Sequence, residues 1–215
     1  GKVYVFVNDG ITWNEEQIIL PTLDSTLFGN SVDIDGDFVV IGAPGTSGVD
    51  TGAVYIYQRI GNDFALQSRI VPGDLDLTGG FGFDVAISGQ NIIVGTTDHG
   101  AYLYSFNDAA WVQEAMLIYL IDGSPLSGKM VAINGHTALV GRTSIDGVNE
   151  IGLFGYDGSS WNQEYYLQGL TTDNYGASLA LSETRVVVGS PESAGSGNDF
   201  YHSGHINTYS YTDGG

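Results

Sequence analysis

FGNSVDIDGDFVVIGAP, residues 28–44, holds two short apolar stretches arranged around Asp35-Gly36 and bracketed by Gly29 and Gly42. Period-two alternation, then a glycine turn, then a run of β-branched residues is the pattern of an antiparallel hairpin. The stretch returns three times. From Gly82, Gly128 and Gly176 a second glycine again lies 13 residues on, at Gly95, Gly141 and Gly189, as Gly42 does from Gly29. The intervening text reads DVAISGQNIIVG, MVAINGHTALVG and SLALSETRVVVG, with turns expected at Ser88-Gly89, Asn134-Gly135 and Ser182-Glu183. An aromatic residue opens the unit at Phe28, Phe81 and Tyr175, whereas the third copy has Leu126-Ser127-Gly128. A fixed spacing of this kind marks a repeat architecture.

Two further strands complete each unit. A third is expected at Val54–Tyr57, Ala101–Tyr104, Ile151–Tyr156 and Ile206–Tyr211, and Val3–Val7 belongs to the same set. A fourth opens on an aromatic residue, at Trp13, Phe64, Trp111 and Trp161, each following a turn such as Asn8-Asp9-Gly10 or Asp157-Gly158-Ser159. One blade could not bury its own faces, so the expected fold is all-β, a β-propeller or an arc of one built from four-stranded antiparallel blades. About four and a half repeats are present, as a partial blade over 1–27, blades over 28–80, 81–125 and 126–174, and a partial blade over 175–215. The chain starts and stops on a third strand, which leaves one third strand surplus to a closed ring. The expectation is therefore an arc of a longer propeller.

Phe28-Gly29-Asn30-Ser31-Val32, Val40-Ile41-Gly42-Ala43-Pro44 and Gly52-Ala53-Val54-Tyr55-Ile56-Tyr57 resemble the FG-GAP repeat of integrin α-subunits and of many surface proteins. The fourth copy keeps Tyr175-Gly176 and Gly189-Ser190-Pro191, while the second and third depart from the pattern at Gly95-Thr96-Thr97 and Gly141-Arg142-Thr143. The resemblance implies a propeller used in extracellular recognition and adhesion. It also brings calcium, which integrin repeats hold in an acidic loop between their first two strands. That loop would lengthen the spacing of the paired glycines, and here the spacing is constant, so integrin-type calcium loops are expected to be absent. Asp33, Asp35 and Asp37 are the candidates for a metal, although a two-residue turn leaves too little backbone to wrap six to eight oxygens.

Asp and Glu number 25 against 6 Lys and Arg, giving a formal charge of −19 that repels nucleic acid and anionic membranes and favours basic partners or cations. There is no Cys, which removes disulfides, thiolate zinc sites and thiol catalysis. No apolar run is long enough to span a bilayer, so no membrane insertion is expected in this segment. No Gly-x-Ser-x-Gly elbow or phosphate-binding glycine loop stands in the required context, and an enzyme is not expected.

In a propeller the connections from second to third strand, and from fourth strand to the next blade, share one face. The longest loops lie there, and recognition residues concentrate on such loops. The ligand-binding candidates are Asp50, Asp74, Asp76, Asp199, Tyr201 and His202. Tyr165 and Tyr166 break the repeat and are candidates for a stacking surface, whereas Trp13, Trp111 and Trp161 recur once per blade and are expected in the core. The expected function is a non-catalytic extracellular or cell-surface module that binds a protein or glycan through propeller loops. The alternatives are an assembly scaffold within a larger complex and, third, a propeller hydrolase.

Overall fold

The computed structural model describes residues 1–21, 27–45, 51–73, 80–97, 99–118, 120–121, 124–125, 128–142, 148–192 and 204–211. β1 (Val3–Asn8) and β2 (Trp13–Ile19) form a two-stranded half-blade. Blade 1 is β3 (Ser31–Asp35), β4 (Phe38–Ala43), β5 (Ala53–Ile60) and β6 (Asp63–Ile70). Blade 2 is β7 (Val85–Ser88), β8 (Asn91–Gly95), β9 (Ala101–Phe106) and β10 (Trp111–Leu117). After the short pair β11 (Leu120–Ile121) and β12 (Ser124–Pro125) comes blade 3, with β13 (Met130–Asn134), β14 (Thr137–Arg142), β15 (Val148–Tyr156) and β16 (Trp161–Leu170). Blade 4 is three-stranded among the described residues: β17 (Ser178–Leu181), β18 (Arg185–Ser190) and β19 (His205–Ser210). Every sheet runs its strands in chain order with antiparallel neighbours, and the first strands of all four blades line one cavity of about 390 Å³. The fold is an all-β propeller. Among the described residues the one helical element is a 3-10 turn at Thr171–Asp173, and no helix is long and apolar enough to cross a membrane.

The first hairpins turn one residue later than expected. Asp35 pairs with Phe38, Ser88 with Asn91 and Asn134 with Thr137, so the turn residues are Gly36-Asp37, Gly89-Gln90 and Gly135-His136. Gly36, Gly89 and Gly135 have φ of 55°, 57° and 55°, and a positive φ at the first turn position is where a two-residue hairpin calls for glycine. The third-to-fourth pairing carries a bulge in the half-blade and in blades 1 to 3, which leaves Glu16, Gln67, Glu114 and Glu164 without a register partner. Bulges re-aim a side chain and sharpen the local twist.

The core lies between blades rather than within them. Val40, Val54 and Ile56 of blade 1 meet Phe81, Val85, Ile87 and Tyr102 of blade 2, and comparable layers join every other neighbouring pair. The middle strands are therefore covered on both faces, which is why VVIG, IIVG and ALVG read as continuous apolar runs instead of alternating ones.

The paired glycines have two tasks. Within a blade the N–H of Gly29 donates to the carbonyl of Gly42 at 3.0 Å, and Gly82 to Gly95 and Gly176 to Gly189 do the same at 3.1 and 3.0 Å. Between blades the backbones come so close that a Cβ on Gly42 would run into the carbonyl oxygen of Gly82, and one on Gly95 would lie 2.5 Å from that of Gly128. The 13-residue spacing is thus the distance along the chain between two points of backbone contact.

Candidate functional site

The first strands of blades 2 and 3 carry alternate backbone N–H groups on their open edges, and the preceding blade caps these with side chains. Ser31 Oγ accepts from the N–H of Val85 at 3.2 Å, Asp33 Oδ2 from Ile87 at 2.8 Å and Asp35 Oδ2 from Gly89 at 2.6 Å. One blade further on, Asp84 Oδ2 accepts from Val131 at 2.9 Å and Ser88 Oγ from Gly135 at 2.9 Å. An unpaired edge would invite foreign strands, and buried N–H groups need acceptors. These side chains supply both protections without extending the sheet.

This ladder settles what Asp33 and Asp35 do. Asp33 Oδ1 also accepts from the N–H of Ile34 at 2.9 Å, so its two oxygens face backbone donors, and Asp35 is turned toward the next blade. Asp37, the third metal candidate, sits in the exposed turn, where its backbone carbonyl takes the N–H of Arg59 at 2.8 Å. The trio does not converge on a common point and does not fit a calcium ion. Among the described residues no three His, Cys, Asp or Glu side chains are grouped to hold a metal. Asp33→Ala leaves the buried Ile87 N–H without its acceptor and is expected to cost about 1 to 3 kcal/mol, measured by urea unfolding.

Asp84 ties three blades together. Its Oδ1 receives the Ser31 hydroxyl at 2.7 Å and its own blade's Val85 N–H at 3.1 Å, while Oδ2 reaches blade 3. Burial pushes its carboxyl above the ordinary range, with the nearby Asp33 charge adding to the rise, and the three hydrogen bonds pull the other way. Burial wins because the side chain is in the wall of the central cavity.

Asp9 and Asp157 hold twin turns on the blade rims. Asp157 Oδ1 accepts from the N–H groups of Ser159 and Ser160 at 2.9 Å each, and Oδ2 from Asn162 Nδ2 at 2.9 Å. Asp9 repeats the pattern with Ile11, Thr12 and Asn14. Hydrogen bonds from the backbone of Ser160, then from Ser159, bring the Asp157 carboxyl from its ordinary 3.8 down to about 2. A depressed carboxyl contributes stability above its unfolded value and loses it as pH falls through the folded one. The Asp157 side chain is accordingly expected to titrate near pH 2 in a carboxylate-detected NMR titration, with the turn opening below that point.

Asp50, Asp74, Asp76, Asp199, Tyr201 and His202 lie outside the described residues, and so do the loops that carry them. The residues that flank these loops are joined from blade to blade. Gly80 N–H donates to the carbonyl of Pro44 at 2.9 Å, Gly52 bridges Phe81, and Thr96 bridges Gly128. The segments 46–50 and 74–79 therefore leave and rejoin a frame that is stapled from blade to blade. Tyr165 and Tyr166 are exposed and line a groove of about 340 Å³ with Tyr209 and Tyr211, between blades 3 and 4.

One feature of the loop face escaped the sequence reading. By register Asn149-Glu150 of blade 3, both buried, stand where blade 1 has Gly52-Ala53 and blade 2 has His99-Gly100. Asn149 Nδ2 donates to the carbonyl of Tyr175 at 2.9 Å and so fastens blade 3 to the start of the blade 4 repeat, while Glu150 Oε1 accepts from Gln168 Nε2 at 2.6 Å within blade 3. The signal was the departure from the repeat, visible once the third strands are aligned.

Residues 13–57 match the family model of the FG-GAP repeat, so the resemblance holds from β2 through β5. No curated protein sequence matches the chain. Among solved structures it is similar to the computationally designed Ika4 protein, at 12% identity and a TM-score of 0.53 over 90% of this chain and 96% of that one. It is also similar to the N-terminal domain of Nup159, at 9% identity and a TM-score of 0.49 over 96% of this chain and 50% of that one. At such identities the likeness to Ika4 bears on the fold alone.

Proposed function

We propose that this FG-GAP propeller is a non-catalytic recognition module of the cell surface or extracellular space, which binds a protein or glycan through its loop face. The observation that supports it most is the stapled frame under the acidic loops. Backbone contacts at Pro44, Gly52, Gly80 and Phe81 fix the points from which those segments depart, and a preorganised frame lowers the cost of binding. FG-GAP repeats are typical of surface proteins, and a net charge of −19 suits a basic ligand or one bridged by a cation. The test is a binding screen on protein and glycan arrays, at millimolar calcium and again with chelator, using the parent chain and an Asp74→Asn, Asp76→Asn, Asp199→Asn triple variant. Loss of a ligand in the variant supports the reading. A ligand profile indifferent to all three substitutions sinks it.

One observation favours the scaffold reading as second. Val32 and Ile34 are 52% and 56% exposed, whereas their counterparts Val85 and Ile87 in blade 2 are 4% and 5% exposed because blade 1 covers them. An apolar pair in that position is shaped to take the flank of another blade. A strictly monomeric particle by sedimentation at every concentration would count against this second reading.

A further inference from the structure

Successive blades meet in a slot on the hairpin side, away from the long loops, and three of these slots share one plan. Each combines the bulged residue of the earlier blade with the fourth-strand aromatic of the later one. Between the half-blade and blade 1 the bulged Glu16 lies 3.5 Å from the Arg59 guanidinium, which in turn sits 4.4 Å over the Phe64 ring. Between blades 1 and 2 the bulged Gln67 takes the indole N–H of Trp111 at 2.9 Å. Phe38 plugs that slot, its ring 5.7 Å from Phe106 and 5.6 Å from Trp111.

Between blades 2 and 3 the plug is missing. Register places Asn91 where blade 1 has Phe38, Glu114 where it has Gln67, Tyr156 where it has Arg59 and Trp161 where it has Phe64. What remains is an open pocket of about 170 Å³, lined by Asn91, Ser105, Glu114, His136, Tyr156 and Trp161. The Tyr156 and Trp161 rings stand 5.6 Å apart, and the His136 ring lies 5.5 Å from Tyr156. Ser105 Oγ donates to Glu114 Oε1 at 2.6 Å, which fixes the carboxylate at the rim.

We propose that this pocket binds a guanidinium group, delivered as an arginine side chain of a basic partner. The molecule contains its own precedent: Arg59 occupies the first slot between a bulged glutamate and an aromatic face. The slot between blades 2 and 3 keeps the glutamate and the aromatic face, and among the described residues no Lys or Arg lines it, Tyr156 standing where blade 1 has Arg59. A planar cation stacks on aromatic rings while its N–H groups reach a carboxylate, a combination an alkylammonium meets less well. Asn91 and Ser105 add neutral oxygens at the wall, and the acidic chain as a whole draws cations toward it.

The test is an NMR titration of the whole chain at pH 8 with N-acetyl-arginine amide, following the Trp161 indole N–H. The matched probes are the citrulline and lysine amides and methyl glucoside. The expected result is a saturable shift at Trp161 with the arginine probe and little with citrulline. Glu114→Gln should weaken binding about tenfold or more through loss of the charged acceptor. Asn91→Phe, which refills the slot as Phe38 fills its own, should abolish the shift in a chain whose other resonances are unchanged. An equal response to citrulline, an equal response to lysine, an unaltered affinity in Glu114→Gln, saturation by the glucoside alone, or no response to any probe would each overturn the assignment. The pocket lies opposite the loop face, so its failure leaves the recognition reading standing and the reverse is equally true.

Discussion

Gly82→Ala is expected to lower the unfolding free energy by about 3 to 5 kcal/mol, far more than an added methyl group usually costs. Two effects add. Gly82 has a φ of 87°, a conformation that L side chains rarely adopt. Its Cβ would also lie 2.7 Å from the carbonyl oxygen of Ala53 and 3.2 Å from the amide of Ala43, both backbone atoms of blade 1 that cannot turn aside. Relief would require blades 1 and 2 to part, and that parting would open the layer built on Phe81, Val54 and Tyr102. Gly36→Ala is the matched control. Its φ of 55° is strained as well, yet no atom lies within 4 Å of the new Cβ, so about 1 to 2 kcal/mol is expected. Equal losses in the two variants, read from urea unfolding curves, would show that backbone conformation and not blade contact sets the requirement for glycine.

The repeat was legible because the contacts that make a propeller are themselves periodic. Phe28, Phe81 and Tyr175 are all buried, and the glycine after each donates its N–H to the second glycine of its own blade. Sequence alone located those strands to within three residues at their ends, the largest misses being the end of β5 at Ile60 and the start of β15 at Val148. It misplaced the hairpin turns by one position, since Asp35-Gly36 and Gly36-Asp37 are equally good turn pairs on composition and only the register separates them. It took Asp33 and Asp35 as metal candidates because the carboxylates are adjacent in sequence. Their partners, Ile87 and Gly89, are in the next blade and more than 50 residues away, as the 54-residue separation of each hydrogen bond shows. Function was hard to read for the same reason that fold was easy. What distinguishes a site in a repeat protein is a break in the pattern, and breaks such as Asn91 for Phe38 or Asn149-Glu150 for Gly52-Ala53 become visible only when the blades are superposed strand by strand.

The periodic tryptophans show how far a pattern can be pressed. Trp111→Ala is expected to cost about 3 to 5 kcal/mol, as truncation of a buried aromatic does, whereas Trp13→Ala is expected to change stability by less than about 0.5 kcal/mol. Both residues open a fourth strand and read alike in sequence. Trp111 is 9% exposed, with its ring against Phe38 and Phe106 and its indole N–H on Gln67 of blade 1. Trp13 is 68% exposed, although it occupies the same place on its strand. The difference follows from what precedes each one. A fourth-strand aromatic packs on the bulged residue of the blade before it, and among the described residues no blade is packed behind the half-blade to receive Trp13. Phe64, which has the half-blade behind it, is 3% exposed and holds Gln17 through both its backbone N–H and its carbonyl. Trp111→Phe separates the two contributions at the buried site, since it keeps the ring contacts and removes the hydrogen bond to Gln67, at an expected cost of about 1 kcal/mol. Equal losses for Trp13→Ala and Trp111→Ala in urea unfolding would mean that the half-blade is packed in solution as the full blades are, and that Trp13 is covered there by a surface outside the described residues.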